Sequence, residues 1–259
     1  MSLSGQIPLR DIPADRVDRP LAAFARDYAE GEETGLHIHT RAQLLYATRG
    51  LMRITTDAAR FVVPTGRGLF VPAGLPHAVR MEGLVAMRAL FLREDAARGA
   101  PAGPQVMPVT PLLRALILAA CDEPLEWDAA GRGGHLAALI LSELRRAASL
   151  PLAVPEPSDP RLLRLTAALH AAPARALTLE GWAEGCGASA RTLRRLFLAE
   201  TGMGFARWRQ ALRLAEASAM LAQGVTPARV AVAVGYASTS AFGAAYRAAF
   251  GETPRGARE

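Results

Sequence analysis

Ser189-Ala190-Arg191-Thr192-Leu193-Arg194-Arg195-Leu196-Phe197 is the stretch that decides how this chain is read. At 100° per residue, Leu193, Leu196 and Phe197 share one face of a helix, Arg191 and Arg195 fall opposite, and Arg194 flanks them. Ser189 can cap that helix through its hydroxyl. Cys186-Gly187-Ala188 form a turn ahead of it, with glycine able to take the left-handed conformation such a turn needs. A short helix over about residues 178–185 precedes the turn. Three arginines are thus offered outward near the start of a helix that a shorter helix can brace, the layout of a recognition helix in a major groove. Arginine suits that place because its fork bonds guanine O6 and N7 together. Without the turn and the cap, the same arginines would read as an ordinary solvated face.

The pattern recurs further on. Thr226 can cap a helix with Pro227 at its first position, Gly235-Tyr236-Ala237 turn the chain, and Ser238 caps again. Phe242, Ala245, Tyr246 and Phe250 then form an inward stripe. Between the units, residues 205–221 read as one helix with Phe205, Trp208, Leu212, Ala215 and Ala219 on a face. At 1.5 Å per residue it is a rigid spacer of roughly 25 Å, against roughly 34 Å for one turn of DNA.

Charge agrees with this reading. Residues 1–160 carry 17 arginines against 18 acids, whereas residues 161–259 carry 13 against 6. A basic half beside a neutral half implies a polyanion partner for the basic half. Every one of the 30 basic residues is arginine, which compositional drift explains; drift does not explain the asymmetry. With 51% hydrophobic and 21% charged residues over 259 positions, the chain is expected to form globular domains. No apolar run is long enough for a membrane span, and residues 1–10 show no signal pattern, so a cytoplasmic place is expected. Cys121 and Cys186 lie too far apart for a paired metal motif and read as small buried thiols.

Residues 161–258 resemble the DNA-binding domain of the AraC/XylS family. The resemblance rests on Ser189-x-Arg191-x-Leu193-x-Arg195-x-Phe197, Thr201-Gly202-Met203 and Trp208-Arg209-Gln210-x-Leu212-Arg213. Gly235-Tyr236-x-Ser238, Phe242, Tyr246 and Phe250-Gly251-x-Thr253-Pro254 complete it. It implies DNA contact by Ser189, Arg191, Arg194 and Arg195 in the first unit and by Ser238, Thr239 and Ser240 in the second. One departure is informative: Gly243 and Ala244 stand where relatives often place polar or basic side chains. Arg247 remains, suited to a phosphate more than a base. The first unit is therefore expected to read most of the sequence.

The first ninety residues are of another kind. Leu44–Thr48, Leu51–Thr55, Phe61–Pro64, Leu69–Pro72 and Val85–Leu92 read as short strands punctuated by glycines, which suggests a small β-barrel. His37-Ile-His39-Thr-Arg-Ala-Gln43, with Gly50 seven residues on, is similar to the first cupin motif. Gly66-x5-Pro72-x-Gly74-x2-His77 is similar to the second. Alternate residues of a strand face the same way, so His37 and His39 can point together, with His77 from a neighbouring strand. Three imidazoles and the Gln43 carbonyl suit a divalent transition metal such as zinc, nickel or iron. Gln43 replaces the glutamate usual in cupins, and Met81 stands where an asparagine is common. Imidazoles lining an effector pocket are the other reading. His135 and His170 have no partner at ligand spacing and are expected at the surface.

The resulting expectation is an α+β chain in two domains. Residues 1–109 form a cupin-like β-barrel sensor, residues 110–150 add helices suited to dimerisation, and residues 151–160 form a proline-rich linker. Residues 161–259 form an all-α DNA-binding domain with helix-turn-helix units at about 178–199 and 226–250. The function expected is that of a bacterial transcription regulator, activator or repressor, on double-stranded DNA. A small effector or metal would control it, with RNA polymerase and a second copy of the chain as further partners. A cupin-type metal-dependent enzyme with a helical appendage is the alternative. Gln43 argues against it, and the basic C-terminal half would then lack a purpose; no Ser-His-Asp arrangement, phosphate loop or convincing carboxylate pair is seen.

Overall fold

The computed structural model describes residues 12–150 and 152–256. It divides into two compact units, one of residues 1–56 with 63–150 and one of residues 57–62 with 151–259. The elements run α1 (Pro13–Arg16), β1 (Leu21–Tyr28), β2 (Ala42–Thr55), β3 (Ala59–Pro64), β4 (Arg67–Val71), β5 (Ala78–Leu92), β6 (Gln105–Pro108), α2 (Pro111–Cys121) and α3 (Arg132–Arg146). They continue with β7 (Ala153–Pro155), α4 (Pro160–Ala171), α5 (Leu179–Ala183), α6 (Ala190–Thr201), α7 (Phe205–Ala222), α8 (Pro227–Ala233) and α9 (Thr239–Phe250).

The first unit is built on an antiparallel, cupin-like sheet. β5 lies between β1 and β2, β2 also pairs with β4, and β4 pairs with β6. The two strands expected on either side of Gly50 are one long strand. Gly50 is not a turn: the β2–β5 register shifts twice around Arg49, and Gly50 adopts φ +82°. A Cβ there would stand 2.6 Å from the Leu84 carbonyl oxygen, so the bulge accepts only glycine. A sequence reading takes such a glycine for a loop because turn and bulge need the same backbone freedom.

Period two then divides the strands between two environments. Leu44 and Tyr46 of β2, with Leu90 and Leu92 of β5, pack with Leu113 and Ile117 of α2 and Ile140 of α3. Gln43, Leu45, Met87 and Phe91, the alternate residues, line the cavity that contains the histidines. Each Leu or Ile withdrawn from water on the helix side contributes about 1.5–3 kcal/mol. α2 begins as the sequence suggests, with the Thr110 hydroxyl accepting from Leu113 N at 3.1 Å and Pro111 in the first turn. Trp127 is buried and donates its indole N–H to the Leu21 carbonyl at 3.0 Å. β6 lies outside the strands read from the sequence; pairing with β4 makes it a strand.

In the second unit, residues 59–61 of β3 pair with β7, which lies in the proline-rich stretch read as a spacer. Glu156 follows β7. Its carboxylate receives Arg60 Nε at 3.3 Å and His170 Nε2 at 2.6 Å. His170 is therefore not a surface residue: only 14% of its side chain is exposed, and its ring stands edge-on to Trp208. The partner comes from a loop fourteen residues earlier, which no helical spacing shows. Trp208 donates to the Pro155 carbonyl at 2.6 Å. α7 is buried over most of its circumference, Trp208 and Leu212 among others on one side and Leu214, Ala217 and Leu221 on another. It is the central helix of this unit as well as a spacer.

Candidate nucleic-acid interface and metal centre

Both helix-turn-helix units take the expected form. α5 is capped by the Thr178 hydroxyl, which accepts from Gly181 N. Gly187 turns the chain at φ +69°, and the Ser189 hydroxyl accepts from Thr192 N at 3.2 Å to start α6. Leu193 and Phe197 are buried, Leu196 is half-buried, and Arg191, Arg194 and Arg195 are exposed. Phe197 stands edge-on to Phe205 and Trp208, which fixes α6 against α7. In the second unit Ser238 caps α9 by accepting from Ala241 N at 3.1 Å. Phe242 and Tyr246 are buried, and Thr239, Ser240 and Arg247 are exposed. The two serines thus have a structural task of their own as N-caps. Thr226 departs from expectation: Pro227 opens α8, but the Thr226 side chain makes no capping bond.

Three features here escaped the sequence. Arg194 ion-pairs with Glu180 of α5, so it braces the two helices of its unit. Arg191 and Arg195 have no carboxylate partner among the described residues. Arg209 and Arg213 donate to the carbonyls of Leu177 and Pro173, at 3.1 and 3.0 Å, and so hold the approach to α5. Burial lowers the pKa of Arg213. Gly235 has φ +81°, and a Cβ on it would stand 2.7 Å from Ala174 Cα. The Gly-Tyr signature thus marks a close approach of two backbones as well as a turn.

In the first unit, His37, His39 and His77 come together. Residues 37 and 77 exchange backbone hydrogen bonds at 3.0 Å in both directions, and Gly74 N donates to the His39 carbonyl at 2.8 Å. One ring nitrogen from each imidazole lies within 4.8 Å of the others. All three are buried, at 4%, 3% and 1% exposure. Each Nδ1 meets an oxygen: Gly35 O at 2.9 Å for His37, Leu75 O at 2.9 Å for His77 and Asp15 Oδ2 at 2.6 Å for His39. A ring whose Nδ1–H is given to an oxygen keeps Nε2 as its basic, metal-ligating nitrogen. Gln43 lines the same cavity, and its Oε1 is buried without a hydrogen-bond partner. Three oriented imidazoles and an unsatisfied amide oxygen fit a divalent transition metal, so the site allows metal binding.

The cavity volume decides what else can enter. It is about 20 Å³, room for one water or one ion. Asp15, from α1, was invisible to the sequence reading because it lies 24 positions from its partner. Arg41 holds the same segment, donating to the main-chain oxygens of Asp15 and Arg19 at 3.1 and 2.9 Å and also to that of Val17. Its pKa is lowered by burial, against the opposing pull of Asp15.

Comparison with known proteins finds two families in this chain. The family described as Helix-turn-helix domain matches residues 182–259, and the family described as Cupin domain matches residues 26–93. The HTH-type transcriptional regulator NimR of Escherichia coli K12 is 29% identical over 250 residues, covering 96% of this chain and 91% of that protein. The HTH-type transcriptional regulator RipA of Corynebacterium glutamicum is 40% identical over 100 residues, 39% of this chain and 30% of that one. Among solved structures, a transcriptional regulator with an AraC-type DNA-binding domain from Chromobacterium violaceum is 30% identical. That match covers 38% of this chain and 89% of the other, with a TM-score of 0.36. No helix among the described residues is long and apolar enough to cross a membrane.

Proposed function

We propose that this chain is a DNA-binding transcription regulator of the AraC/XylS family with a cupin-like N-terminal domain, and that it reads its operator chiefly through α6. The observation that carries this is the exposure of Arg191 and Arg195, without carboxylate partners among the described residues, on a capped helix whose opposite face is buried. Guanine is the base that a free guanidinium fork selects. Arg194, held by Glu180, can swing to DNA only by giving up that pair. α9 presents Thr239 and Ser240 as short polar contacts, and Arg247 serves a phosphate. Ser189 and Ser238, engaged as caps, present helix N-termini to the backbone of the nucleic acid.

In this reading residues 1–109 are the sensor, residues 110–150 pair two copies of the chain, residues 151–160 connect, and residues 161–259 bind double-stranded DNA and meet RNA polymerase in the cytoplasm. His37, His39 and His77, with Gln43 as a neutral fourth ligand, hold zinc, nickel or iron. Bound there, the cation would tie the segment that carries His37 and His39 to His77. The buried Nδ1 contacts support this reading, and the small cavity argues for an ion over an organic effector at that point. A metal-dependent enzyme is not favoured, because the relatives are regulators.

The test is selection of bound sequences from random duplex DNA by the full chain, followed by competition with scrambled duplex. A motif containing guanine at a position lost in Arg195→Ala supports the reading. Equal affinity for selected and scrambled duplex refutes it.

A further inference from the structure

A second cavity lies in the first unit, on the helix side of the sheet and away from the histidines. Its floor is Phe70, Leu92 and Met107, its walls are residues 96–101 and the end of α3, including Leu144, and its volume is about 200 Å³. An apolar cavity of about 150 Å³ takes a benzene ring, so there is room here for one ring or a short branched chain with a small polar head. The polar side chains on its wall are Arg98, Gln105 and Arg145, and no acid lines it. Both arginines are exposed. Neither has a carboxylate partner among the described residues; Arg145 gives only Nε, to the Leu141 carbonyl at 3.1 Å, within its own helix. An apolar floor beneath two guanidiniums without counter-ions is complementary to an apolar body that ends in an anion.

We propose that this cavity binds a small apolar monocarboxylate, its hydrocarbon on Phe70, Leu92 and Met107 and its carboxylate at Arg98 and Arg145. The inference does not rest on the metal reading or on base recognition. It gives the regulator a ligand site outside the cupin interior, where about 20 Å³ excludes such a molecule. The wall joins residues 96–101 to the last turn of α3, so a bound acid links two segments that are distant in sequence.

The experiment is calorimetric titration of the full chain with benzoate, cyclohexanecarboxylate and hexanoate, and with cyclohexanecarboxamide as the neutral counterpart. Saturable binding of at least one acid is expected, with the amide weaker by about tenfold or more, the size of a charge-assisted bond. The double variant Arg98→Gln/Arg145→Gln should lose that preference, and Ala97→Phe should block entry. The double variant alters only exposed side chains, so it reports on the site whatever Ala97→Phe does to folding. No saturable binding of any of the three acids overturns the proposal. So does equal binding of acid and amide, or an acid preference that survives in the double variant.

Discussion

Asp15 Oδ2 lies 2.6 Å from His39 Nδ1, and both side chains are almost wholly buried. The carboxylate fixes the orientation of the imidazole and the tautomer that leaves Nε2 basic. It also ties α1 to the histidine cluster, since the Asp15 carbonyl is held in turn by Arg41.

Asp15→Ala is therefore expected to weaken divalent metal binding by roughly 10–100-fold, the usual consequence of losing such an outer partner. His39→Ala should abolish it. Competition with a chromophoric chelator measures both. Wild-type affinity in Asp15→Ala would show that the carboxylate serves only to anchor α1.

Arg195→Ala should cost about 1–3 kcal/mol on the selected duplex and relax the preference at one base pair. Arg247→Ala should weaken selected and scrambled duplex alike and reduce the salt slope by about one. Fluorescence anisotropy across a salt series separates the two. An equal loss on both duplexes in Arg195→Ala would move that residue from base readout to phosphate contact.

Gly235→Ala places a methyl against Ala174 Cα in a backbone region that only glycine occupies at low cost. Strain of this kind is of order 1–3 kcal/mol before the clash is counted. A lowered urea midpoint is expected, with DNA affinity lost in parallel. Gly187→Ala, at a turn where a Cβ meets nothing within 4 Å, should cost less.

Asp159 caps α4, and its side-chain hydrogen bond with Arg161 holds its carboxyl at about 2, below the ordinary 3.8. A depressed carboxylate stabilises the folded state above its unfolded value, and that stability is lost as pH falls through the folded one. The contribution is complete above about pH 4 and disappears toward pH 2. Asp159→Ala should lower stability at pH 7 by about 1 kcal/mol, the ordinary size of a lost cap. The variant and wild type should converge in acid, which denaturant titration at several pH values would reveal.

The residues that are local in their physics were legible in the chain alone. The caps Thr110, Ser189 and Ser238, the buried stripe Leu193–Phe197, the outward arginines and the His37–His39 alternation follow from helix and strand periodicity, which a sequence displays directly. What it could not display were partners brought together by folding. Gly50 is a bulge because Leu84 crosses beside it, and His170 is buried because Glu156 returns from β7. Asp15 orients His39 across 24 positions, and Glu180 restrains Arg194 across fourteen. Periodicity tells which face a side chain leaves from; only tertiary contact decides what that face meets, because burial and pairing depend on chain segments whose separation has no period.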